Sequence, residues 1–139
     1  MFVFDLSVDQ WVRNKDEGVF IENPTWQQIE GTICQLNGET QTLVTLGADE
    51  ASYMSIGGGQ ANQYIVNVTF DGMTFYNLVD PAQPEQIKSL VIGGQLGNYP
   101  AKLCTDLPTA LKAARTFAES GELEDSVRWE DGESLVMVG

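Results

Sequence analysis

No histidine occurs among the 139 residues. That absence removes the commonest general acid–base group and the commonest transition-metal ligand. It also excludes Ser-His-Asp and Cys-His nucleophiles, because no imidazole is present to activate a hydroxyl or a thiol. Cysteine is scarce: Cys34 and Cys104 stand alone, both in apolar sequence surroundings. Without an export signal they read as two buried free thiols in a reducing cytoplasm rather than as a disulfide. Met1 to Arg13 lack a basic segment followed by an apolar run, so they do not read as a signal peptide. No apolar stretch approaches the ~20 residues needed to cross a bilayer.

Positive charge is the other shortage. Seven Lys and Arg face twenty Asp and Glu, a formal net charge of −13. Between Lys15 and Lys88 there is no basic residue, while ten acids fall there. A second dense run, Glu119, Glu122, Glu124, Asp125, Glu130, Asp131 and Glu133, is opposed within its span only by Arg128. A field of this sign repels nucleic acid and anionic membranes and attracts basic protein surfaces. Paired carboxylates remain as acid–base candidates, but these acids cluster in turns and in a charged tract rather than around an apolar pocket. The tract from Glu122 to Glu133 also lacks the spaced oxygen ladder, with its internal glycine, that calcium needs. The sequence therefore predicts a non-enzyme with no cofactor and no metal.

What is present is enough for one domain spanning residues 1–139, with no repeat and no linker. A chain of this length buries roughly two thirds of its surface and needs no covalent staple. Phe2 to Leu6 alternates weakly, as an edge strand does. Asn23-Pro24 reads as a helix start, with asparagine as cap and proline at the first position. Trp26, Ile29, Ile33 and Leu36 then recur at helical spacing before Gly38. Thr42 to Leu46 and Ser52 to Ile56 read as strands joined by the loop around Asp49-Glu50.

Tyr64, Val66, Val68 and Phe70 alternate up to Asp71-Gly72, and Met73, Phe75 and Val79 resume the alternation. Asp-Gly between such runs predicts a two-residue hairpin that pairs Phe70 with Met73 and Val68 with Phe75. Its opposite face would carry Ile65, Tyr76 and Leu78. Leu90 to Ile92 reads as a buried strand. Thr105 or Asp106 caps a second helix, with Leu107, Ala110, Leu111, Ala114 and Ala118 on one stripe and Gly121 as its stop. Val127 to Glu130 and Leu135 to Val138, around Asp131-Gly132, read as a final hairpin. The order predicts an α+β domain: a mostly antiparallel sheet with two helices packed on one side.

Gly57-Gly58-Gly59 and Gly93-Gly94-Gln95 invite a phosphate-loop reading. A phosphate cradle needs glycines that open a helix, usually with a base nearby. Both runs here end strands, which predicts a bend or a tight crossing instead. Trp129, just before Glu130, reads as a plug at the end of the core, or as a contact residue at a binding face.

Taken in order, these pieces resemble a known family. Asn23-Pro24-Thr25-Trp26 opens a helix. Tyr53 to Ile56 runs into Gly57-Gly58-Gly59, with Tyr64 beyond. Val91-Ile92-Gly93-Gly94-Gln95, Tyr99-Pro100, a helix ending in Gly121 and Trp129-Glu130 follow. The set resembles an immunity-protein family of bacterial polymorphic toxin systems, over roughly Phe2 to Glu130. The resemblance implies a non-enzymatic protein that neutralises a toxin domain, often a nucleic-acid deaminase or nuclease, inside the producing cell. It places Trp26, Gly57, Gly58, Gly59, Tyr64, Gly93, Gly94, Gln95 and Trp129 in the shared scaffold and leaves specificity to surface residues.

The predicted partner is therefore a cognate toxin domain, with no nucleic-acid or membrane partner, and the predicted mechanism is occlusion of the active site. The candidate contact residues are Glu122, Glu124, Asp125, Glu130 and Asp131, with Asp49 and Glu50 as a second patch. The rival readings are a small-ligand or peptide-binding module in a helix–sheet cleft rimmed by the glycine loops, and a subunit of a larger assembly.

Overall fold

The computed structural model describes residues 1–49 and 51–132. The chain begins with β1 (Asp5–Val8), the short hairpin β2 (Trp11–Val12) and β3 (Lys15–Asp16), β4 (Val19–Glu22) and α1 (Trp26–Cys34). A meander follows: β5 (Leu43–Gly47), β6 (Tyr53–Gly58), β7 (Tyr64–Thr69) and β8 (Phe75–Val79). Then come the hairpin β9 (Ile87–Ile92) and β10 (Gln95–Pro100), α2 (Leu107–Ser120) and β11 (Arg128–Gly132). Seven strands form one antiparallel sheet in the order β11-β8-β7-β6-β5-β1-β4. The α+β architecture expected from the sequence is the one observed.

Alternation on the strands and helical spacing on α1 and α2 put most of their buried apolar residues in one interior between helices and sheet. Ile29 and Ile33 of α1, and Ala110, Ala113, Ala114, Phe117 and Ala118 of α2, bury against Leu6, Val44, Leu46, Met54, Ile56, Val66, Val68 and Leu78 of the sheet. Each large side chain so buried contributes roughly 1.5–3 kcal/mol. The alanine stripe lets the α2 backbone approach the sheet closely. On the opposite side of the sheet, Ile65 packs with Leu90, Ile92 and Cys104 in a smaller cluster beneath the β9–β10 hairpin.

Several local expectations are corrected. The cap of α1 is Thr25, not Asn23; its hydroxyl accepts the Gln28 N–H at 3.2 Å and Gln28 reciprocates in a capping box. Asn23 instead turns the chain with φ +50°. β1 lies inside the sheet, and β4 is the strand at that edge. Cys34 is exposed; only Cys104 is buried.

The β7–β8 hairpin is shifted by one residue from the expected register, with Thr69 opposite Phe75 and Val68 opposite Tyr76. Asp71 closes a longer loop by accepting the N–H groups of Met73 and Thr74 at 2.8 and 2.7 Å, while the Thr69 hydroxyl donates to the Thr74 carbonyl at 2.7 Å. A one-residue slip exchanges the faces of a strand. Tyr76 and Leu78 accordingly take the helix side, and Met73 stands 86% exposed. Asp131-Gly132 is no turn either: both belong to β11, opposite Tyr76 and Phe75. The expected strand Leu135 to Val138 lies outside the described residues.

Candidate functional site

The two glycine runs serve packing. Gly57 lies under Ile92, whose Cγ2 is 2.7 Å from the place a Cβ would occupy. At Gly59, with φ +104°, the same position falls 2.5 Å from the Leu36 carbonyl carbon, so the chain after α1 crosses here. Gly93 and Gly94, at φ +64° and +78°, form the two-residue turn that pairs Ile92 with Gln95, a geometry that two left-handed glycines supply without strain. The space between helices and sheet, the expected ligand cleft, is filled by the core side chains.

The aromatic scaffold residues are also structural. Tyr64 is 4% exposed, burial raises its phenol pKa, and its backbone bonds reciprocally with Thr105. Trp26 is half-buried under the Arg115 guanidinium, which sits 5.5 Å from the ring centroid. Trp129 faces the helix side opposite Leu78, plugs the end of the core and donates its indole N–H to the Glu124 carbonyl at 2.9 Å.

The acidic residues are distributed by the strand register. One row of paired residues crosses all seven strands: Glu22, Asp5, Gly47, Tyr53, Thr69, Phe75 and Gly132. The loops carrying Asp49 and Asp71 leave the sheet just beyond this row, and the Ser52 hydroxyl donates to the Phe70 carbonyl at 3.0 Å to tie them together. The Ala118 carbonyl of α2 accepts the Phe2 and Val3 N–H groups at 2.8 and 3.2 Å, so the α2–β11 connection begins at this end as well. Asp5, Glu22, Asp49, Asp71, Glu122 and Asp131 are therefore brought to one end of the sheet. No Lys or Arg lies on the row or in the described part of those two loops. Asp5 and Glu22 sit directly opposite each other, a like-charge pair that is unfavourable until a cation approaches.

Within the predicted set the carboxylates have different tasks. Asp49 accepts the N–H groups of Ala51 and Ser52 at 3.0 and 2.8 Å, which hold its carboxyl below the ordinary value. Glu124 is bound by Ser126 and by the Thr116 hydroxyl and is pushed down to about 2. Both pin their own loops. Glu130 pairs with Lys102 at 3.1 Å. It lies opposite Asn77 and so faces away from the helices, whereas Asp131, opposite Tyr76, faces the other way. The tract from Glu122 to Asp131 is thus not one patch. The side chains of Glu122, Asp125 and Asp131 are exposed and make no hydrogen bond or ion pair among the described residues. Glu50 lies outside them.

Sequence reasoning missed Asp5, Glu22 and Asp71, which join the acidic end only through strand pairing. It also missed the polar row that Ser7, Thr45, Ser55, Asn67 and Asn77 make with the predicted Glu130 on the face away from the helices. Ser55 and Asn67 in that row are buried, and Asn67 donates to Asn77 at 2.7 Å. Among the described residues no group of three or more Cys, Asp or Glu is placed to hold a metal ion.

The family model for immunity protein Imm1 matches residues 17–131, which takes in β4 through most of β11, both helices and both glycine turns. The chain belongs to the Imm1 family of immunity proteins. An Imm1 protein neutralises a toxin, and immunity proteins are generally non-enzymatic. No curated protein and no solved structure matches this Imm1 chain. Among its described residues no helix is long and apolar enough to cross a membrane.

Proposed function

We propose that this Imm1 protein acts in the cytoplasm of the producing cell. There it binds one cognate toxin domain that attacks nucleic acid, a deaminase or a nuclease, and covers its active site without itself turning over a substrate. The observation that carries this reading is the gathering of carboxylates at one end of the sheet, with no cation on the paired row. A toxin that acts on DNA or RNA needs a basic groove for the phosphate backbone. An acidic end in a chain of −13 is its electrostatic complement. Such complementarity raises association rates toward ~10⁸ M⁻¹s⁻¹ at low salt, which suits a protein whose delay is lethal. A stable complex buries on the order of 800 Å² per partner.

The test separates binding from folding. The side chains of Glu122, Asp125 and Asp131 pin nothing among the described residues, so the combined variant Glu122→Lys, Asp125→Lys and Asp131→Lys is expected to keep the wild-type melting temperature. Its association with the toxin domain encoded beside this gene is expected to slow by ~10-fold or more. Wild-type association rates and full protection of toxin-expressing cells by the variant would reject the electrostatic account. A neighbouring gene that encodes no toxin would reject the function.

A further inference from the structure

A cavity of about 600 Å³ opens beside β8 and β11, and Val79, Pro81, Pro84, Ile87 and Pro100 give it apolar wall. It is preformed rather than pliable. The Asp80 N–H donates to the Lys102 carbonyl at 2.7 Å, the Ala101 N–H to Gln86 at 2.8 Å and the Gln86 N–H to Pro84 at 2.9 Å. Three proline rings fix the backbone torsions between these bonds. Ile87 leaves 66% of its surface exposed beside the cavity, a large apolar area for a residue in a paired strand.

The same cavity is lined by Glu85, Lys102 and Glu130. Lys102 and Glu130 form an exposed ion pair, with 52% and 47% of their side chains accessible. Such a pair is worth little in water and is readily exchanged. An arriving guanidinium grips a carboxylate with two parallel hydrogen bonds where an ammonium offers a point contact.

Resting on the function proposed above, we infer that this cavity receives an anchor from the toxin: an aromatic or long aliphatic side chain against Ile87 and the prolines, with a neighbouring arginine taking Glu130 from Lys102. Charge decides the occupant. Two carboxylates against one ammonium, in a chain of −13, favour a cationic segment over a second copy of this protein. Position allows it: Glu130 and Asp131 face opposite sides of β11, but β11 is an edge strand of the sheet, so a partner that wraps this edge reaches both. Rigid pockets that seat aromatic or arginine anchors are where binding energy concentrates. The acidic end then governs how fast the toxin arrives and the cavity governs how long it stays.

The experiment compares Ile87→Glu and the milder Ile87→Ala with wild type in binding kinetics to the catalytically inactivated toxin domain encoded beside the gene. Exposure of Ile87 predicts unchanged melting for both. Dissociation is expected to accelerate by ~100-fold for the glutamate and by ~5-fold or more for the alanine, with association rates within about twofold of wild type. Wild-type dissociation rates for both variants would overturn the cavity assignment while leaving the proposed function in place. A wild-type protein that does not bind the toxin at all would overturn the function itself. Sedimentation of the free protein supplies the remaining arm: a wild-type dimer that Ile87→Glu dissociates would assign the cavity to a second copy and overturn the anchor.

Discussion

The indole of Trp11 lies against Gly94, so closely that the ring atom Cε2 is 2.5 Å from where a Cβ on that glycine would stand. The contact joins the β2–β3 hairpin to the β9–β10 turn, elements far apart in sequence. Asp9 completes the junction. Its carboxylate accepts the Trp11 indole N–H at 2.7 Å, the N–H groups of Thr42 and Leu43 at 2.6 and 2.9 Å, and the Thr42 hydroxyl. The Thr42 hydroxyl in turn accepts the Gly94 N–H at 3.0 Å.

Gly94→Ala therefore meets two penalties at once, a left-handed backbone and a clash with a ring held in place by Asp9. The expected destabilisation is about 2–4 kcal/mol, read as a lower urea midpoint with an unchanged slope. A wild-type midpoint would show that the turn and the ring separate freely.

Asp9→Ala should be equally severe for a different reason. Asp9 is 8% exposed, and its removal leaves the Thr42 and Leu43 N–H groups without an acceptor. A loss of about 3 kcal/mol is expected, with Asp9→Asn keeping part of the stability because one amide oxygen still accepts. Hydrogen exchange at the Thr42 and Leu43 amides checks the mechanism, since both should lose protection before the sheet does.

Acid should act through Glu124. Its folded pKa, about 2, lies below the ordinary 4.5, so the group binds fewer protons folded than unfolded in the interval between. The stability it contributes is fully present above pH 4.5 and drains away as pH falls toward about 2. Across that window the melting temperature of wild type should fall further than that of Glu124→Gln. Parallel curves for the two proteins would show that Ser126 and Thr116 do not favour the charged form.

Ionic strength should separate the two parts of the proposed interface. Raising salt from about 0.05 to 0.5 M shortens the Debye length from roughly 14 to 4 Å. Association with the toxin domain is then expected to slow steeply while dissociation changes by less than about threefold. Stopped-flow mixing measures both rates; an association rate indifferent to salt would contradict steering by the acidic end.

The helices and the meander were legible because their chemistry is local. Asp106 caps α2 through Thr109 and Gly121 ends it in the left-handed region, as their positions in the sequence predict. The β2–β3 hairpin was not legible: two-residue strands have no periodicity, and a single buried carboxylate, Asp9, organises the surroundings of Trp11. The β7–β8 register was misread because the Asp71 side chain closes a longer loop in place of the two-residue turn that Asp-Gly usually makes. The candidate site was half legible. Its charge stands in the composition, but placing Asp5 and Glu22 beside the Asp49 loop requires knowing which strand pairs with which. Neighbouring Glu130 and Asp131 read as one patch until a strand turned them to opposite faces.

The strand order has a kinetic side. β5, β6, β7 and β8 follow one another in sequence and in the sheet, so this ribbon can zip together by short-range closure before either flank arrives. β1 and β4 flank this ribbon on one side and β11 on the other, and these flanks carry Asp5, Glu22, Glu130 and Asp131. A ribosome still holding β11 would therefore carry a sheet that lacks Glu130 and Asp131 of the proposed interface. On the proposed interface, protection of the cell would begin only once β11 has been released.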